Sequence, residues 1–174
     1  TSAVTGAANT GVTWSVDAID GGNATVGTIS AGGVYTAGTA LGAHTVKATS
    51  VADPAQSATA SVTVLAAPVA TSCVVSTGSP LFGATVTVTP TFSGGSAVVG
   101  TSGSGSSDLS AAATSGTPLT TPALSVPTTY TLTVTNAAGT IASVASAAAT
   151  PQSVSVASLT TGNLNVTLAG GADN

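Results

Sequence analysis

Few side chains of this sequence can take part in acid–base, nucleophilic or metal chemistry. The 174 residues include one Lys, no Arg, one His, one Cys and five Asp. His44 and Lys47 lie three positions apart in an alternating stretch, so they would point to opposite faces of a strand. No Gly-x-Ser-x-Gly motif leads from a strand into a helix, as a serine hydrolase of the α/β type requires. The sequence therefore predicts a protein that is not an enzyme and uses no cofactor.

One loop offers the oxygen ligands that a hard cation prefers. Residues 17–23 read Asp-Ala-Ile-Asp-Gly-Gly-Asn and supply the side chains of Asp17, Asp20 and Asn23. Carboxylate and amide oxygens bind Ca²⁺, but the loop lacks the spacing of an EF-hand and has no bidentate Glu. Asp and Asn are equally common where they cap turns. The sequence favours a hairpin loop and predicts no metal site, with these three residues as the weak candidate ligands.

The charge pattern excludes several classes of function. The formal net charge is −4 and 3% of the residues are charged. Without a basic patch to neutralise phosphates, we expect no nucleic-acid binding. Thr, Ser or Gly interrupts every apolar run, so we expect no membrane-spanning helix. Lys47 is the single site for trypsin-like proteases, which suits an extracellular or cell-surface location.

Cysteine and glycan chemistry leave alternatives open. Cys73 has no second Cys to pair with in the chain, so it is either a buried free thiol or half of an intermolecular disulfide. Asn23 and Asn165 each begin an Asn-x-Thr sequon, and the many Thr and Ser residues are further candidate glycan carriers. Glycans are therefore a second candidate partner beside copies of the chain itself.

The dominant hydrophobic period is two, which predicts strands. Thr85–Thr89 and Tyr130–Thr135 alternate strictly between hydroxyl and apolar residues. Turn-forming Gly, Asn, Asp and Pro residues separate such stretches at short intervals, as in β-sandwiches. The first predicted strand is Ala3–Gly6. We predict an all-β protein with a domain at 1–66, a second at 67–150 and a C-terminal strand segment at 151–174.

The large side chains predict where the cores lie. Trp14 alternates with Val12 and Val16 along one face of its strand, an arrangement typical of the Trp that fills the core of an immunoglobulin-like sandwich. We predict that the other aromatic residues of the predicted strands also lie in the cores. The predicted core residues are Trp14, Tyr35, Phe92 and Tyr130.

Two parts of the chain resemble the bacterial immunoglobulin-like (Big-type) domains of surface proteins. The first resemblance rests on Val12–Asp17, Gly27–Ser30, Gly33–Ala37, Gly42–Ser50 and Ser57–Val64. The second, at 68–150, rests on Thr89–Gly95, Thr114–Pro118 and Thr128–Asn136. The resemblance implies two antiparallel immunoglobulin-like β-sandwiches in tandem. Such modules serve adhesins, filaments, phage tails and enzyme appendages alike, so the resemblance leaves the function open.

The two ends of the chain depart from the family pattern. Family members open with a strand before the segment that matches Ala3–Gly6, and the 1–66 domain lacks it. The C-terminal segment instead carries apolar residues at largely alternating positions, namely Val154, Val156, Leu159, Leu164, Val166 and Leu168. Such a segment can join an incomplete sheet as an added strand. We therefore predict that 152–169 of one chain completes the 1–66 domain of the next.

These features predict a structural subunit or repeat of an extracellular bacterial filament, sheath or stalk, assembled head-to-tail by strand pairing. The alternative is an immunoglobulin-like spacer or binding module of an adhesin or a carbohydrate-active enzyme. Two other accounts of the C-terminal segment also remain open. In the first, the chain is a piece of a longer repeat array. In the second, the segment folds back onto 68–150.

Overall fold

The computed structural model describes residues 2–102, 108–152, 154–160 and 163–168, and for residue 102 and the last two ranges the backbone alone. Every regular element of the described residues is a β-strand, and the strands of each sheet pair in antiparallel fashion. Two compact units divide the chain, unit 1 at Thr1–Ala66 and unit 2 at Ala67–Asn174. The all-β class and the immunoglobulin-like sandwich architecture agree with the alternating sequence pattern.

Unit 1 consists of a large sheet and a small sheet. The strands of the large sheet lie in the order β2-β1-β6-β7. Their bounds are β1 Val12–Val16, β2 Ile19–Asp20, β6 Gly42–Ser50 and β7 Ser57–Val64. The small sheet has the order β3-β4-β5. Its strands are β3 Gly22–Asn23, β4 Gly27–Ile29 and β5 Tyr35–Thr36.

The core of unit 1 lies between these two sheets and is small. The register sets Trp14 opposite Ala48 and Val16 opposite Val46, so these residues share the inner face of the large sheet. Val16, Val46 and Ile29 are buried together. Half-buried residues surround this cluster, and they are Trp14, Val26, Tyr35 and Val62.

The first strand predicted from the sequence does not form. Residues 2–10 contain no strand, so the prediction at Ala3–Gly6 is wrong. Gly6 has a φ of +78°, which breaks the extended conformation there. A strand also needs a neighbour to satisfy its backbone groups, and no described strand pairs with this segment. The segment runs instead beside Ala48 and Ser50.

Unit 2 contains a complete pair of facing sheets. The four-stranded sheet has the order β11-β10-β13-β14, and the three-stranded sheet has the order β12-β9-β8. The first comprises β10 Ser96–Ser102, β11 Asp108–Ala113, β13 Thr129–Thr135 and β14 Ile141–Ala145. The second comprises β8 Val69–Val75, β9 Thr87–Ser93 and β12 Leu119–Thr120.

The core of unit 2 is larger than that of unit 1. Its buried members are Cys73, Val88, Ala97, Val99, Tyr130, Leu132 and Val134. Phe92 is half-buried against this cluster. The Tyr130 hydroxyl has no hydrogen-bond partner among the described residues, and burial raises its pKa. The nearby Thr121 hydroxyl already accepts from the Val86 N–H and donates to the Pro122 carbonyl.

The C-terminal segment forms a hairpin of its own. Strand β15 (Val154–Thr160) pairs with β16 (Asn163–Leu168), and neither belongs to another sheet. Just before it, Gln152 forms an isolated bridge with Leu81 of unit 2. The side chains of the predicted assembly residues lie outside the described part of the chain, and these are Val154, Val156, Leu159, Leu164, Val166 and Leu168.

Candidate functional site

A two-residue turn brings a carboxylate and an imidazole of unit 1 together. Asp17 and Ala18 join β1 to β2 with φ values of +47° and +65°. Two-residue hairpin loops of this kind need positive φ at both positions, and Asp tolerates it better than most residues. The Asp17 N–H donates to the Thr45 carbonyl at 2.9 Å, which fixes the turn against the start of β6.

The Asp17 carboxylate and the His44 ring are locked in one arrangement. His44 Nδ1 lies 2.7 Å from Asp17 Oδ2, and His44 Nε2 lies 3.0 Å from the Ala40 carbonyl oxygen. The second carboxylate oxygen, Oδ1, accepts the Thr45 N–H at 2.7 Å. His44 is 6% exposed and Asp17 is 34% exposed. The pair therefore forms a partly buried ion pair at the end of the sheet.

The charge state of this pair follows from its geometry. A carbonyl and a carboxylate can only accept, so both contacts are hydrogen bonds when both ring nitrogens of His44 carry hydrogens, which is the imidazolium form. The hydrogen bond to Asp17, with a further one to the Ala40 carbonyl, raises the pKa of His44. The hydrogen bonds from His44 and from the Thr45 N–H lower the pKa of Asp17. Each partner thus holds the other in its charged form.

This arrangement leaves little room for catalysis or cation binding by the same groups. A general base needs one ring nitrogen free to take a proton from a nucleophile, and both nitrogens of His44 are engaged. Both carboxylate oxygens of Asp17 accept hydrogen bonds, and the Asn23 amide oxygen accepts the N–H groups of Thr25 and Val26. Within the described ranges, no cluster of three or more His, Cys, Asp or Glu side chains occurs.

The stability of unit 1 should depend on pH because of these two pKa shifts. His44 contributes stability that is complete below the ordinary His pKa of about 6.5 and is lost as pH rises through its raised value. Asp17 contributes stability that is complete above about pH 3.9 and is lost as pH falls through its lowered value. We expect Tm to be highest between about pH 4 and 6.5 and to fall toward pH 8. Fluorescence of Trp14, the only Trp, measures it.

His44→Gln is the matched control for this experiment, because it removes the only His of the chain. Its Tm should not change between pH 6 and 8. In the Asp17→Asn variant His44 loses its charged partner and its pKa in the folded state falls, so the decline should be smaller and should end at a lower pH. A Tm of the unchanged protein that stays constant from pH 6 to 8.5 would contradict the assignment.

Cys73 and Lys47 are two further reactive side chains, one in each unit. Cys73 is 5% exposed in the core of unit 2, and burial raises the pKa of its thiol. A buried, protonated thiol is a poor nucleophile, which favours the free-thiol alternative over an intermolecular disulfide. Lys47 lies on β6 with an exposed side chain.

The inner face of the large sheet in unit 1 is incompletely covered. The β6–β7 register sets Ala58 opposite Ala48 and Ala60 opposite Val46, so both Ala residues of β7 belong to the inner face. Ala48 and Val46 are buried, yet Ala58 and Ala60 are exposed. The small sheet has strands of two or three residues and cannot span a neighbour of eight or nine. We call Ala58, Ala60 and the adjoining Val12, Ala48 and Ser50 the open face.

A cleft marks the same place. It has a volume of about 420 Å³, and its lining consists of residues 2–7, of Val12, Ala48, Ser50 and Ala58 of the open face, and of Ala52, Asp53, Gln56 and Ser57. A single water needs only about 10–15 Å³ of such a volume, so the cleft has room for additional side chains. The free edge of β7 borders the open face, and no described strand pairs with it. Unpaired edges are templates for added strands.

The end of unit 2 from which the hairpin leaves is apolar. Leu81 and Phe82 are 59% and 63% exposed, and Val126 is exposed as well. Hydrogen bonds from Ala84 to Leu81 and between Leu124 and Ala84 hold these loops side by side. Gln152 joins this group through its bridge with Leu81. Exposed apolar residues grouped in this way are typical of interaction surfaces.

The sequence identified Asp17 as a candidate cation ligand but did not indicate its ion pair with His44. The sequence analysis considered His44 together with Lys47, on opposite faces of one strand. The partner of His44 is Asp17, which lies 27 positions earlier in the chain. The exposed inner face of β7 was also missed. The small residues Ala58 and Ala60, at alternating positions of a strand, were the available signal for it.

Comparison with known proteins finds distant structural similarity only. No protein-family model and no curated protein matches this sequence. Immunoglobulin domains 1–5 of Sidekick-1 are similar with 13% identity and a TM-score of 0.36, over 78% of this chain and 32% of that one. Domains 4 and 5 of the S-layer protein SbsC are similar with 22% identity and a TM-score of 0.31, over 83% of this chain and 74% of that one.

A longer SbsC structure, domains 1–6, is similar with 20% identity and a TM-score of 0.31, over 93% of this chain and 25% of that one. This chain therefore spans about a third of the Sidekick-1 chain and a quarter of the longer SbsC chain. Among the described residues, the structure has no helix that is long and apolar enough to span a membrane. The likeness to bacterial immunoglobulin-like domains remains a resemblance.

Proposed function

We propose that this chain is a structural subunit of an extracellular assembly, which binds copies of itself by strand pairing and apolar packing. The open face of unit 1 carries the proposal. An immunoglobulin-like sandwich is stable because two sheets cover each other, and here Ala58 and Ala60 of the inner face stay exposed. A second chain that covers them adds the missing apolar contacts.

The composition supports association rather than solubility as a monomer. With 3% charged residues, the surface has few groups that repel another copy. Natural edge strands are usually protected by Lys, Pro or bulges. The β7 strand has none of these, since its sequence is Ser-Ala-Thr-Ala-Ser-Val-Thr-Val and its pairing with β6 is regular.

The assembly is expected in the purified chain without any ligand. Light scattering and electron micrographs over a range of concentrations should show oligomers that grow into linear polymers. Added salt should change the midpoint concentration little, because screening affects charge pairs and not apolar burial. Ala60→Asp puts a charge on the open face and should suppress assembly, while Thr59→Asp, on the outer face of the same strand, should not.

Two outcomes would contradict the proposal. A chain that stays monomeric at every concentration and is retained on a glycan column is instead a binding module or spacer. A chain in which Thr59→Asp and Ala60→Asp reduce assembly equally does not use the open face. Under the proposal the protein has no enzymatic activity, needs no cofactor, and lies outside the cell.

A further inference from the structure

We propose that the β15–β16 hairpin of one copy fills the open face of unit 1 of the next copy, where it takes the places that β8 and β9 hold in unit 2. This inference rests on the proposed function and identifies the segment and the surface through which the copies join. The donor is the pair of strands that β15 and β16 form together.

Unit 2 shows what unit 1 lacks. The order β11-β10-β13-β14 in unit 2 repeats the order β2-β1-β6-β7 in unit 1, with a short-turn hairpin at the end of each sheet. In unit 2, β8 and β9 pack across β13, and β8 also packs across β14. The inner residues of β14, Ala142 and Val144, are therefore half-buried. Residues 2–66 include no strand pair that corresponds to β8 and β9.

The hairpin matches this missing pair in size and pattern. Strands β8 and β9 have seven residues each and pair antiparallel with one shift of register. Strands β15 and β16 have seven and six residues and also pair antiparallel with one shift. The hairpin has no other strand beside it in the described residues. An isolated two-stranded hairpin is only marginally stable in water, so it gains stability by joining a sheet.

The register gives the hairpin one apolar face. It sets Val154 opposite Leu168, Val156 opposite Val166 and Leu159 opposite Leu164. Residues directly opposite each other in an antiparallel pair belong to the same face. Ser155 lies opposite Thr167 and Thr160 opposite Asn163, which makes the other face polar. Such a hairpin fits a site with apolar residues on one side and water on the other.

The place where the hairpin leaves unit 2 fits a contact between copies. Gln152 bridges to Leu81, next to the exposed Phe82, so the hairpin starts at the apolar end of unit 2. A copy whose unit 1 receives the hairpin is held close to this end and can cover both side chains. The donor and the acceptor are different surfaces of the chain. The contact is therefore heterologous, and it produces an open-ended polymer when the rotation between copies does not close a ring.

Mixing two defective chains tests the inference. Val166→Asp places a charge on the apolar face of the hairpin and leaves the open face intact, while Ala60→Asp does the reverse. We expect each variant alone to remain monomeric at concentrations where the unchanged chain polymerises. A mixture has one intact donor and one intact acceptor, so light scattering should show dimers of one chain of each kind. Thr167→Asp, on the polar face of the hairpin, is the control and should polymerise normally.

A peptide of residues 152–169 provides a second measurement that does not need polymers. Added in excess to the Val166→Asp chain, it should raise the Tm of unit 1 measured by Trp14 fluorescence, and a scrambled peptide should not.

Normal polymers of the Val166→Asp variant, together with a monomeric Ala60→Asp variant, would overturn the hairpin as donor and leave the proposed function standing. Monomers of the unchanged chain at every concentration would overturn the proposed function and, with it, the hairpin as the contact between copies, even if the peptide raised their Tm. Without a dimer in the mixture and without a peptide effect, the inference fails.

Discussion

Replacement of Leu132 by Ala is expected to lower the free energy of unfolding of unit 2 by about 3–4 kcal/mol. Leu132 is 0% exposed and lies in the middle of β13, with strands on both sides of it in the sheet. Val99 lies opposite it on β10 and Val144 on β14. Deletion of a buried Leu side chain costs about 2–5 kcal/mol, and the cost is highest where rigid neighbours cannot close the cavity.

The corresponding fall in Tm is more than about 10 °C for a domain of this size. Calorimetry or denaturant unfolding followed by circular dichroism measures it, and Trp14 fluorescence follows unit 1 in the same sample. Ile141→Ala is the matched control, because Ile141 belongs to the neighbouring strand and is 63% exposed. It should change stability by at most about 0.5 kcal/mol. Equal losses for the two variants would contradict the described core of unit 2.

Alternation alone was enough to predict the long central strands. Thr129–Thr135 reads Thr-Tyr-Thr-Leu-Thr-Val-Thr, and the structure buries Tyr130, Leu132 and Val134 while the Thr residues remain half-buried. The same holds for Gly42–Ser50, in which His44, Val46, Ala48 and Ser50 are buried. In such strands the local preference of β-branched residues and the burial of one face agree, so local sequence is sufficient.

Strands that depend on a distant neighbour could not be predicted. Asp108–Ala113 reads Asp-Leu-Ser-Ala-Ala-Ala, which has little strand preference, and it is extended because it pairs with β10 across two shifts of register. The loop of residues 17–23 similarly contains the short strands β2 and β3. In both cases the backbone partner decides the structure, and that partner is set by the tertiary fold.

The candidate site was accessible to sequence reasoning only in its parts. An Asp at a tight turn and a His at the start of a strand are each unremarkable, and nothing in their spacing indicates that they meet. Their contact follows from the two-residue turn at Asp17 and from the β1–β6 register, which sets Val16 opposite Val46. The open face depends in the same way on which strands the small sheet lacks. That is a property of the whole unit, so local sequence does not indicate it.

Replacement of Trp14 by Ala is expected to lower the free energy of unfolding of unit 1 by about 3 kcal/mol. A fully buried Trp costs about 3–5 kcal/mol when it is truncated, and the partial exposure of Trp14 places the value at the low end. Its ring packs beside Val16 and Val46 and lies close to Gly33, where an added Cβ would stand 2.7 Å from it. Its indole N–H donates to the Ala31 carbonyl at 3.2 Å.

Trp14→Phe separates these contributions, because it keeps an aromatic ring and removes the N–H. It should cost about 1 kcal/mol, which is less than half of the Ala effect, since a hydrogen bond at a partly exposed site contributes about 0.5–1.5 kcal/mol. Calorimetry measures both variants, and an unchanged Tm for Trp14→Ala would contradict a role of this side chain in the core. Because the buried cluster beside Trp14 has three members among the described residues, against seven in unit 2, the loss of Trp14 removes a larger share of the packing of unit 1 than any one residue does in unit 2. Assembly through the open face should therefore restore part of the lost Tm, and the restored part should vanish when Ala60→Asp is combined with Trp14→Ala.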